Sequence, residues 1–275
     1  MAESLQSGLV QATQVAREAV VRRAGNGVAF AAFGETGLDD AELVRMVQAV
    51  PSAVAAGLER KTYYFVPLAL AEGRGSEFTG HRSGNEETMI SPVYTAELAD
   101  LAICHRNVAL GGGLGDAGEE GREGVFISTR LLSDRFSLAF ELFINVGHAF
   151  VDVAGVPESF SELAWNQAVA DVRGETSLDA WESRAQAVGG GQTAGRGGQT
   201  KTDEKAKTEY IEAAFSDAIA IYMLSLAVDF DYSELREREY PLLAPQALAD
   251  RLRLVARLFP PNAEYEFAIR YRRRA

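Results

Sequence analysis

The chain has 275 residues, enough for one large domain or two small ones, and its 47% hydrophobic and 24% charged residues fit a protein that buries a core. Its formal charge of −12 argues against nucleic acid as a partner, because phosphate binding draws on counterions exchanged for Lys and Arg. Cys104 is the one cysteine, so the sequence cannot form an intrachain disulfide and fits a reducing compartment.

The opening residues, MAESLQSGLVQATQVAREAVVRR, carry acids and amides where a secretory signal needs a basic start and an apolar run. No stretch reaches the roughly 18 uncharged apolar residues of a spanning helix. The expectation is a cytoplasmic protein with no membrane partner.

In chain order, residues 3–23 read as a helix, with Leu5, Leu9, Val10, Ala12, Val15, Ala19 and Val20 on one broad apolar stripe. Gly25-Asn26-Gly27 ends it. A second helix, AELVRMVQAV, follows Asp39 and Asp40 and stops at Pro51, and a short third runs through Ala56. Lys61 to Val66 is β-branched and aromatic and is the clearest strand of the first half. Further strands are expected at Thr88 to Ile90, Ile103 to Leu110 and Gly124 to Thr129. The stretches between them, EGRGSEFTGHRSGNEE and GGGLGDAGEEGRE, are rich in glycine and charge and read as mobile surface loops without a phosphate-loop pattern.

From Leu131 the pattern turns helical. Helices are expected at 134–154, from near Pro157 and containing Trp165, and from near Ser177 and containing Trp181. A flexible low-complexity linker near 186–206 precedes a long helix at 207–228, and a last helix at 246–258 ends at Phe259-Pro260-Pro261. Tyr265 to Tyr271 reads as a closing strand, and Arg270, Arg272, Arg273 and Arg274 as a solvated basic terminus. The expected fold class is α+β in a single domain spanning 1–275, with a small sheet in the N-terminal half followed by a helical C-terminal half.

The segment DRFSLAFELFINVGHAFVDVA is mostly apolar, yet its polar residues Glu141, Asn145, His148 and Asp152 fall at i, i+4, i+7 and i+11. At 3.6 residues per turn they form one narrow stripe. That stripe is either the wet face of a core helix or the lining of a cleft. In the second case the carboxylates and imidazole could hold a divalent metal, or Asp152 one turn away could fix the tautomer of His148. Asp217 sits with Ala214, Ile221 and Leu224 on the apolar side of the 207–228 helix. A carboxylate there must find a partner, and His148 or Asn145 is the expected one.

The order of elements around this stripe resembles a zincin, the metallopeptidase fold in which a short sheet leads into a helix bearing His-Glu-x-x-His. GVFISTRLLSDRFSLAFELFINVGHAFVD resembles the strand, connection and active-site helix, with Gly147-His148 matching the Gly-His that often ends the motif. Glu212 to Leu224 resembles the later helix that supplies a glutamate ligand, and Pro260-Pro261 a His-Pro-Pro turn. The matching patches cover about half the chain. The resemblance also implies a degenerate motif. Ile144 stands for the first metal-binding His, Asn145 for the general-base Glu, Ala213 for the third ligand with Glu212 one position off, and Phe259 for the turn His. Of three ligands, only His148 remains, and a zinc that keeps a reactive water needs three. An amide cannot take that water's proton.

Two readings follow. In the first, the protein is a non-catalytic binding or scaffold protein, a pseudoenzyme without cofactor whose old cleft binds a protein, peptide or small ligand. In the alternative, a metal-binding protein or enzyme uses a rebuilt site around His148, Asp152 and Glu141, with His105 as a further ligand. Neighbouring strand residues point to opposite faces, so Cys104 is expected as a small core residue that His105 does not activate. His81 lies in the first glycine-rich loop and is expected to be solvated.

Overall fold

A computed structural model describes residues 8–70, 88–110, 121–189, 202–235 and 240–270. His81, most of both glycine-rich loops, residues 190–201 of the expected linker and the tail beyond Arg270 lie outside the described residues. The fold is α+β, mainly sheet in the N-terminal half and helical in the C-terminal half. It divides into two compact units, Met1–Gln48 with Leu58–Leu142, and Ala49–Gly57 with Phe143–Ala275.

The first unit holds two sheets. One has the order β1 (Val10–Gln11), β6 (Met89–Ser91), β5 (Leu68–Leu70), β7 (Ala102–Ile103), and its pairs are antiparallel. The other has the order β2 (Arg22–Arg23), β3 (Ala29–Ala32), β4 (Lys61–Val66), β9 (Glu123–Ser128), β8 (His105–Ala109). Its three central strands are parallel, with Tyr64 beside Ala31 on one side and Phe126 on the other. Both faces of β4 are covered, so the strand reads as a continuous apolar run instead of an alternation.

Tyr64 and Phe126 stack at 4.7 Å and pack with Val15, Val66, Ala69 and Ile90 in one core. The hydroxyl of Ser128 joins the two sheets: it donates to the Ile103 carbonyl at 2.5 Å and accepts from the Ala69 amide at 2.8 Å. The unit also contains α1 (Ala12–Glu18), α2 (Asp40–Gln48), a short α4 (Ala96–Ala99) and the first two turns of α5 (Arg135–Ala154).

Residues 3–7 of the helix expected at 3–23 lie outside the described residues, and from residue 8 onward it is corrected to the seven residues of α1, since Gln11 and Ala19 are both extended and strands flank it. Its apolar stripe combined two periods: Val10 pairs in a strand against Ile90, whereas Ala12 and Val15 are helical core residues. Val20, placed on the same stripe, is 79% exposed. Tyr265 to Arg270 has no regular structure, so the closing strand is not found there.

The second unit is helical: α3 (Ser52–Ala55), the remainder of α5, α6 (Glu158–Val169), α7 (Leu178–Gly189), α8 (Glu204–Ala227) and α9 (Pro245–Leu258). Asp203 caps α8 by accepting from the amides of Lys205 and Ala206. By length and hydropathy α5 and α8 could each cross a membrane. However, 78% of the most apolar stretch of α8 is buried in protein, as expected of a core helix. Gly147 lets α5 approach α8, because a Cβ there would stand 2.6 Å from the Ser216 carbonyl oxygen.

Candidate functional site

The polar stripe of α5 does not act as one group. Glu141 belongs to the first unit, where its Oε1 lies 2.5 Å from His105 Nδ1 on β8. Asn145 is buried. His148 and Asp152 are exposed in the second unit and line a cleft of about 380 Å³ with α7 and α8. The close helix contact at Gly147 sets the next residue against α8, where His148 Nδ1 lies 3.2 Å from Ser216 Oγ.

No hydrogen bond or ion pair joins His148 to Asp152 among the described residues, so Ser216 and not the expected carboxylate orients the imidazole. The expected metal set is divided between the units, with Glu141 and His105 in the first and His148 and Asp152 in the second. Among the described residues no three His, Cys, Asp or Glu side chains converge as metal ligands would.

Ala213, the position matched to the third zincin ligand, lines the same cleft as His148. Five carboxylates, Asp152, Asp179, Glu182, Glu209 and Glu212, share the lining with Val151, Ser183 and Gln186. Phe259, at the position of the turn His, meets Phe150 edge to face at 5.3 Å and serves the core.

Asp217 is buried, and its Oδ2 accepts from Thr176 Oγ1 at 2.7 Å. Burial holds its carboxyl above the ordinary range, against the pull of the Ser177 and Thr176 hydroxyls, His148 and Arg251. Its hydrogen-bond partners are therefore the loop before α7, while the expected partner His148 acts on it through space.

Beside it lies a cluster that sequence reading missed. Glu175 receives Arg251 Nη1 at 3.0 Å, Arg184 Nη1 at 3.1 Å and the Tyr210 hydroxyl at 2.9 Å. Arg251 also donates to Gln167 Oε1 at 2.7 Å. Glu175 and Arg251 are both 0% exposed. Among the described residues no buried side-chain nitrogen or oxygen of this cluster lacks a hydrogen-bond partner, which is the condition under which buried charge is tolerated. The available signal was Arg251 within LADRLRLVARL, on the apolar face of an amphipathic helix.

Cys104 is corrected from core to exposed, since it sits at the bend between β7 and β8. Partial burial, then the Glu141 carboxylate, pushes its thiol up, the opposite of what a nucleophile requires. Comparisons of the chain with family models, with curated proteins and with solved structures find no match.

Proposed function

We propose that the protein is a non-catalytic binding protein on a degenerate zincin-like scaffold, and that the cleft lined by α5, α7 and α8 receives a basic segment of a peptide or partner protein. The observation that supports this reading is that His148 and Ala213 line one cleft. The resemblance assigns both positions to metal ligands, and a methyl group occupies the second. With Ala213 at the third-ligand position and an amide at Asn145, the ligand set and the base glutamate that the resemblance would require are replaced, which supports a non-catalytic reading. Five carboxylates facing one imidazole favour a cationic occupant and repel phosphate.

The test is fluorescence anisotropy with a labelled decapeptide rich in Lys and Arg, with an acidic decapeptide as control. Binding of the basic peptide, weakened by salt and by the double variant Glu209→Gln/Glu212→Gln, is the expected result. No saturable binding at millimolar protein, or binding indifferent to the double variant, overturns the reading. The second reading is a metal site rebuilt around His148 and Asp152, which line this cleft together and would have to draw further ligands in when the ion binds. Metal analysis of protein purified without chelator separates the two: a stoichiometric divalent metal that disappears in His148→Ala replaces the first reading with the second.

A further inference from the structure

A second cleft, of about 270 Å³, lies in the first unit at the carboxyl ends of the parallel strands β3 and β9. Its sides are the loops that follow these strands and the first turns of α2 and α5. Leu38, Leu43, Met46, Leu132 and Leu138 supply an apolar lining. The two loops are fixed to each other: the Thr129 hydroxyl donates to the Thr36 carbonyl at 3.0 Å, and Arg130 donates through Nε and Nη2 to the Glu35 carbonyl at 3.2 and 2.7 Å. Gly37, at φ +72°, leaves room for that guanidinium, since a Cβ there would lie 3.1 Å from Arg130 Nη2. The cleft is thus preformed, with its arginine held in place.

Charge around the rim is mostly engaged. Arg135 lies 3.5 Å from Glu42, and Asp134 caps α5 by accepting from the Ser137 amide at 2.6 Å. Arg130 has no carboxylate partner among the described residues. Its contact with Glu35 leaves Nη1 and one hydrogen of Nη2, the end-on pair of donors that a carboxylate spans. A dianion would also meet Glu42 and Asp134, whereas a monoanion is matched by Arg130, the cation of this lining without a carboxylate partner among the described residues. We propose that this cleft binds a small organic monocarboxylate, with its compact apolar body among the leucines and its carboxylate on Arg130.

The test is a 15N–1H titration of the whole protein with hexanoate, with hexanol as the uncharged control and inorganic phosphate as the polyanionic one. The expected result is saturable shifts confined to residues 36–46 and 129–138, with hexanoate at least about tenfold tighter than hexanol, as a charge-assisted pair provides. Arg130→Gln then reduces hexanoate to the hexanol level, and Met46→Trp, which fills the cleft and leaves the arginine, abolishes both. Absence of saturable shifts, shifts elsewhere, equal affinity for hexanoate and hexanol, or phosphate competing as well as hexanoate overturns the proposal. The wild-type comparison of hexanoate with hexanol decides it even where a variant fails to fold.

Discussion

Asp40 and Asp217 carry the same carboxyl group in opposite surroundings, and they represent how the two units handle charge. In the sheet-bearing unit Asp40 sits at the surface and accepts from Nη1 and Nη2 of Arg22, at 2.9 and 2.5 Å, while Arg22 also covers the Phe30 ring. In the helical unit Asp217 is 4% exposed, close to the wholly buried Glu175 and Arg251. The surface pair trades water for a partner at little net gain, because both states are well solvated. The buried cluster has given up its water, so it is stable only as a complete set. The difference teaches that the ion pair with the better hydrogen-bond geometry need not be the one on which stability depends.

The most severe way to break that contrast is Glu175→Gln. It leaves Arg251 and Arg184 without their shared counter-charge, and the expected loss is about 3–5 kcal/mol in urea denaturation. A loss no larger than that of a surface pair would show that water reaches the cluster. Next comes Gly147→Ala. Its Cβ would stand 2.6 Å from a backbone oxygen of α8, an atom that cannot rotate away. Overpacking of this kind costs about 1–3 kcal/mol, and the same variant should move the His148 ring resonances in NMR spectra at fixed pH, because the helices must part where Ser216 meets His148. Unchanged ring resonances would separate the helix contact from the cleft.

Much of the helical half was legible because long 3.6-residue patterns with clear stops leave little choice. The expected helices at 134–154, 207–228 and 246–258 are found at Arg135–Ala154, Glu204–Ala227 and Pro245–Leu258. β4 was legible for a similar reason, since Thr62 to Val66 are strong strand formers. β3 was not, because AFAA has a composition equally at home in a helix and its partners are set by tertiary pairing. Spacing found the stripe on α5 but could not show that it divides, with Glu141 going to His105 and His148 to Ser216. The Glu175 cluster draws on residues from position 167 to 251, so no local pattern announces it.

The contrast sharpens further in pH. Burial raises the folded-state value of Asp217 above its ordinary 3.8, so its contribution to stability is complete below that value and is lost as pH rises through the folded one. Asp217→Asn keeps an acceptor for Thr176 and removes the buried charge. Its Tm relative to wild type should therefore rise as pH increases from 3.8 and level off once pH has passed the folded-state value. A Tm difference that falls over the same range would mean that Arg251 and the two hydroxyls outweigh burial.

The smallest expected effect belongs to Asp40→Asn, and its sign is opposite. The Arg22 guanidinium lowers the Asp40 carboxyl below 3.8, so the pair stabilises above that value and the contribution disappears as pH falls through the folded one. The variant should be slightly less stable than wild type at neutral pH and equal to it in strong acid. Because both partners are exposed, salt should erase the difference once the screening length falls to about 3 Å near 1 M. Thermal melts at low and high salt test this directly. A deficit that survives 1 M salt would mean that Arg22 holds Asp40 through desolvated contact, with Phe30 shielding the guanidinium, and the surface pair would then behave like the buried one.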